Sequence, residues 1–236
     1  EGRLAGRILR DCGRRRPGQQ ARWQRAALAN DAAQRYQPCA ATDVQHAYLT
    51  GRQSGFDLGG VATHYYSEYQ GEAFNAVRLE QALSQLVARH DALRLIFDEQ
   101  GMQRVLPEQP AAALTVLHCP AAEWHSFTEH TREKLSHRVL APGEWPLFHA
   151  TLIESDDGQN RFCLGLDNLV LDGLSMQMLI AELAAVYVDP QAALPAVEIG
   201  FRDYVTAVRG RQRPESERYW LDRVENLPDA PALPLA

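Results

Sequence analysis

The chain lacks any run of the roughly eighteen or more apolar residues that mark a bilayer-crossing helix, so no membrane span is expected. Its 236 residues, 45% hydrophobic and 23% charged, instead have the composition of a globular protein long enough to bury a proper core. Cysteine is scarce. Cys12, Cys39, Cys119 and Cys163 lie far apart and form no C-x-x-C pair, which argues against a zinc ribbon or a dense disulfide framework. Reduced thiols in a cytoplasmic protein are the expectation. The eight histidines have no H-E-x-x-H spacing, so no metal site is expected. "SDDGQN" (155–160) lacks the loop length and terminal glutamate of a calcium-binding EF-hand and reads as a hairpin turn. An excess of positive charge is also missing: the net charge of -6 argues against wholesale nucleic-acid binding. The exception is the first 25 residues, which carry eight arginines, and residues 1–34 read as a linker or docking segment ahead of a domain. The opening "EGRLAGRILRD" has charges where a signal peptide needs an apolar core, and no initiator methionine. A piece of something longer is therefore expected.

Turning to what is present, "RRRPGQQ" and the Pro38 of "RYQPCAAT" interrupt the chain and place the start of the domain near residue 35. Leu79, Ala82, Leu83, Leu86 and Val87 then follow helical spacing behind Asn75, a residue able to cap the first turn. "ALRLIF", the turn "DEQG" and "MQRVL" predict a hairpin, and "LTVLHC" another strand. Trp124, Phe127, Thr131, Leu135 and Val139 mark a second helix, after which "LFHATLI" and "RFCLGL" flank the Asp-Gly turn as strands. A helix running from Leu174 through Met178 and Ala181 to Tyr187 comes next, then helices about "FRDYVTAV" and "ESERYWLDRVENL". No internal repeat is evident. Such alternation of helices and strands predicts an α/β layered fold.

One stretch raises a chemical question. In "LGLDNLVLDGLSMQ" (164–177) two carboxylates, Asp167 and Asp172, bracket an apolar run that otherwise suits burial. Taken alone, they terminate a strand and cap a helix, with Ser175 placed to help its first turn. Asp167 could carry a proton near neutral pH only if burial raised its pKa substantially, and the Asn168 amide does not titrate there at all.

Four stretches together resemble a known family. "ATDVQHAYLTGR" (41–52) is similar to a T-x-x-Q-x-A-Y-x-x-G-R signature through Thr42, Gln45, Ala47, Tyr48, Gly51 and Arg52. "ARHDALRLIF" (88–97) resembles R-H-x-x-L-R, "DNLVLDG" (167–173) matches D-x-x-x-x-D, and "LPDAPALPL" (227–235) matches L-P-x-x-P-x-L-P-L. In this order they are those of the heterocyclization subgroup of nonribosomal peptide synthetase condensation domains, with most likeness to the synthetases of thiazoline siderophores. "PCAAT" departs from the subgroup's P-F-P-L-T and removes bulk from a packing site.

The resemblance implies a chloramphenicol-acetyltransferase-like fold, with a mixed sheet packed with helices in each of two lobes set in a V. Residues 35–236 would supply the N-terminal lobe, and the C-terminal lobe would be absent. Partners would be upstream and downstream carrier-protein domains, the C-terminal lobe and an adenylation domain. No cofactor would be bound by the lobe itself; 4'-phosphopantetheine arms would be delivered by the carriers. The implied activity joins an acyl donor to cysteine, serine or threonine and dehydrates the amide to a thiazoline or oxazoline. Ordinary condensation domains carry H-H-x-x-x-D-G, and aligning the final Asp-Gly puts Asp167 and Asn168 where the two histidines stand. The resemblance implies that Asp167 and Asp172 are the catalytic residues of the site, with Arg94 pairing with Asp172 while Asp167 faces the reaction channel. Asn168, Gly173 and Ser175 would support the site, Tyr48 and Arg52 would line the channel or seal the lobe, and His90 would set shape or line the channel. An amide-forming condensation domain with a degenerate motif, or a noncatalytic carrier-docking lobe, remains an alternative.

Overall fold

A computed structural model describes residues 30–55, 59–72, 74–107, 114–209 and 214–228. The arginine-rich start and most of the proline-punctuated tail lie outside them. The element order is β1 (Cys39–Ala40), α1 (Asp43–Gly51), β2 (His64–Glu72), α2 (Ala76–Arg89), β3 (Leu95–Phe97), β4 (Met102–Val105), β5 (Thr115–Cys119), α3 (Trp124–Ser136), β6 (Phe148–Ser155), β7 (Gln159–Asp167), α4 (Gly173–Val188), α5 (Phe201–Arg209) and α6 (Pro214–Leu221). The α/β expectation holds, including the hairpin at 95–105, whose turn closes on Gly101 at φ 73°. The helix expected to reach Val139 ends at Ser136 instead, and Val139 is exposed.

Two sheets form, one ordered β1-β4-β3 and the other β2-β7-β6-β5. The second is mixed, because β5 runs parallel to β6 while the other neighbours are antiparallel. Alternation along its strands separates two faces. Phe148, Ala150, Leu152, Phe162, Leu164 and Leu166 pack with Leu79, Leu83 and Leu86 of α2 and Leu183 and Val186 of α4 in the main core. On the other face Ile153 and Cys163 meet Leu135, Trp124 and Phe127 of α3. There Arg132 and Arg161 pair with Glu68 of β2 at 2.7 and 3.0 Å. Helices thus cover both faces of the sheet, and β7, its most enclosed strand, delivers the chain to Asp167.

Candidate functional site

The loop 167–172 joins β7 to α4, and its apolar middle is core: Leu169, Val170 and Leu171 are all buried. A buried loop must find partners for its backbone groups, and this one finds them on surrounding elements. The Asp167 amide donates to the Leu147 carbonyl at 3.1 Å and the Asn168 amide to the Thr63 carbonyl at 3.0 Å. Gln45 supplies the third hold. Its Nε2 donates to the Leu169 carbonyl at 2.8 Å and to Gln103 Oε1 at 3.1 Å, and Gln103 in turn donates to the Ala40 carbonyl. Gln45 can do this because Thr42 and Gln45 form a reciprocal capping box that fixes the first turn of α1.

Arg52, just past the other end of α1, supplies the fourth hold. Its Nη2 lies 2.5 Å from each Asp167 oxygen, its Nη1 donates to the Leu140 carbonyl at 3.0 Å, and the two side chains are 6% and 2% exposed. Asp167 Oδ1 also accepts from the Leu169 amide at 2.9 Å. Asp167 was expected to face a channel; instead it sits beneath the lobe surface with both oxygens engaged. The opening signature therefore reads as a clamp, in which Gln45 and Arg52 grip the middle and the start of the D-x-x-x-x-D loop. Both residues stood in the motif. Their contacts could not be read there, since the partners lie 124 and 115 residues away.

Arg94 was expected to pair with Asp172, and the structure corrects this. Its Nη2 donates to Asp91 Oδ1 at 2.6 Å and its Nη1 to the carbonyls of Val87 and Ala88 at 3.0 and 2.6 Å. Asp91 also receives Arg35, at 2.6 Å. The physical reason is proximity, because Asp91 lies on the same 3-10 turn as Arg94. Asp172 is exposed and caps α4, its Oδ1 accepting from the Ser175 amide at 2.8 Å. That backbone hydrogen bond, with a further one from the Ser175 side chain, holds its carboxyl below the ordinary carboxylate range. A carboxylate in this condition is a poor proton carrier near neutral pH.

His90 does not stand with the loop. Its Nε2 lies 2.5 Å from Glu182 Oε2, and Arg89 grips the same carboxylate and the Pro195 carbonyl, so the pair fastens α2 to α4. Tyr48 packs half-buried against the main core. Asn168 has no side-chain hydrogen-bond partner among the described residues, and its Oδ1 is buried. Gly173 begins α4, and a Cβ there would lie 2.8 Å from Tyr65 Oη. Beside these residues the helix exposes Leu174 and Met178. A separate cleft of about 540 Å³, lined by Phe74, His118, Glu154 and Gln159 among others, opens where β7 begins, at the strand's other end from Asp167. No group of three or more metal-ligating side chains occurs among the described residues.

Comparisons with known proteins place the chain in a family. Residues 44–236 match the condensation domain family. Pyochelin synthetase PchF of Pseudomonas aeruginosa is 39% identical over 202 residues, which cover 82% of this chain and 11% of that protein. Phenyloxazoline synthase MbtB of a Mycobacterium species is 34% identical over 196 residues, covering 81% of this chain and 16% of that protein. The chain thus spans a small part of each curated relative. Among solved structures, the cyclization-docking bidomain of the nonribosomal peptide synthetase EpoB from Sorangium cellulosum aligns with a TM-score of 0.80 at 29% identity, over 87% of this chain and 42% of that one. The chain belongs to the condensation-domain family of nonribosomal peptide synthetases, with its likeness on the side of the cyclization domains.

Proposed function

We propose that this chain is the N-terminal lobe of a heterocyclization domain, one arm of a V whose second lobe completes the reaction channel. Upstream and downstream carrier-protein domains bring an acyl donor and a cysteine, serine or threonine, each on a phosphopantetheine arm, and an adenylation domain loads the acceptor. The acceptor amine attacks the donor thioester to give an amide. Its side-chain thiol or hydroxyl then adds to the new carbonyl, and loss of water leaves a thiazoline or oxazoline.

The observation that carries this reading is the loop 167–172, a D-x-x-x-x-D frame with no imidazole in it. Asp167 is occupied by Arg52 and Asp172 by the helix it caps, so neither is free to act as a general base. What the loop can do is hold position. It anchors the start of α4, where Gly173 precedes the exposed Leu174. Fixing two tethered substrates in line removes much of the entropic barrier to their reaction, so positioning alone supplies a large share of the rate. The likeness to pyochelin and phenyloxazoline synthetases and to a cyclization domain supports the same reading.

The test uses the full-length parent synthetase with loaded donor and acceptor carriers, its products weighed by intact mass. A product one water lighter than the amide supports heterocyclization; amide alone supports an ordinary condensation domain. Carrier binding without either product supports a docking lobe. The 236-residue chain by itself is expected to form no heterocycle.

A further inference from the structure

The start of β2 places three ring side chains in a row, and two of them are committed within the protein. His64 has one ring nitrogen 3.0 Å from the Ala62 carbonyl and the other 2.8 Å from the Ser136 carbonyl. Tyr66 donates its hydroxyl to Glu68 at 2.9 Å. Tyr65 differs. It pairs with Leu166, the residue before Asp167, so its ring lies on the core face and packs against the main cluster. Its Oη lies 2.8 Å from where a Cβ on Gly173 would stand, at the start of α4, and it has no hydrogen-bond partner among the described residues. The half-buried Tyr187 engages its hydroxyl by accepting from the Asn75 amide at 2.9 Å, the usual condition of a tyrosine packed against a core. Tyr65 is equally half-buried, and it carries an unused donor to the half-buried Gly173, next to the exposed Asp172.

We infer that Tyr65 is a catalytic residue of the amide-forming step, donating its hydroxyl hydrogen bond to the carbonyl oxygen of the donor thioester. The inference rests on the heterocyclization reading for the identity of the substrates. The acceptor nitrogen bonds to the thioester carbon, and the carbonyl π pair moves onto oxygen. Tyr65 Oη–H stabilises that oxyanion without giving up its proton. When the intermediate collapses the carbon–sulfur bond breaks, and the leaving thiolate takes the proton shed by nitrogen. A fixed donor aimed where charge develops acts on the transition state more than on the bound substrate. The contact also explains why the helix begins with glycine, since any side chain at 173 would push the phenol aside.

Single-turnover kinetics of the full-length parent synthetase with loaded carriers test this, following amide and ring products separately. Tyr65→Phe is expected to slow amide formation on the order of 10²-fold, as removal of one oxyanion donor does elsewhere. The concentration of carrier giving half the maximal rate and the melting temperature should stay unchanged. Restoring a hydroxyl with 3-fluorotyrosine at position 65 should recover the rate. Gly173→Ala should slow the step similarly, and the double variant no further. A wild-type amide rate in Tyr65→Phe overturns the inference, and so does a lowered melting temperature, which would show that the hydroxyl has a structural partner. If the wild type makes amide and no ring, the heterocyclization reading fails, while the Tyr65→Phe amide ratio still judges Tyr65.

Discussion

Replacing Arg52 by methionine would leave Asp167 with one backbone amide and no counter-charge in a site where its side chain is 2% exposed. Removing one member of a buried pair costs about 3–5 kcal/mol, because the abandoned charge stays out of water. Asp167→Leu strands the guanidinium in the same way, with only the Leu140 carbonyl left to it. For a domain of this size that loss corresponds to a fall of roughly 6–20 °C in Tm. The double variant Arg52→Met/Asp167→Leu behaves differently: neither charge remains, the replacement atoms fill the space, and stability should return to within about 2 kcal/mol of wild type. Urea unfolding followed by tryptophan fluorescence reads the cycle, with Trp145 reporting from its edge-on contact with Phe148. Single variants that each cost under about 1 kcal/mol, or costs that simply add, would refute the buried clamp.

Other expectations follow from neighbouring contacts. Asp172→Ala should cost about 1 kcal/mol, the ordinary worth of an N-cap. Because the folded Asp172 carboxyl lies below its ordinary value, that contribution is present above about pH 4 and disappears as pH falls further, so wild type and variant should converge in acid melts. Gly165 lies directly under the His149 ring, and a Cβ would collide with it. Gly165→Ala should therefore cost about 1–3 kcal/mol in denaturant melts, and His149→Ala should relieve much of it. Burial, with Arg138 and His64 adding, pushes His149 down to about 4. The unfolded chain takes up this proton near pH 6.5, so stability is full above that value and declines toward pH 4. His149→Gln should flatten the decline in pH-dependent melts; an unchanged slope would contradict it.

Much of this fold was legible because its strongest elements bury one face. Leu79, Leu83 and Leu86 announce α2, and the strands flanking Gly158 are apolar enough to read directly. β2 was not legible. Tyr65 and Tyr69 face the core while His64, Tyr66 and Glu68 face α3, so aromatic and polar residues occur on both sides and no apolar alternation appears. The two-residue β1 is too short to leave a pattern. At the site the motif residues were legible as a set, and their pairing was not. Arg94 takes the nearby Asp91 and leaves Asp172 to cap α4, while Asp167 is held by Arg52 at the end of α1, a pairing 115 residues apart that local spacing does not announce.

That the loop positions rather than performs chemistry is tested most directly by product formation in the full-length parent carrying Arg52→Met/Asp167→Leu, measured beside Asp167→Leu alone. If Asp167 serves only as the partner of Arg52, the double variant, with its loop back in place, should regain most of the heterocycle yield that the single variant loses. A double variant as stable as wild type that forms no heterocycle would show that the Asp167 carboxylate takes part in the reaction itself.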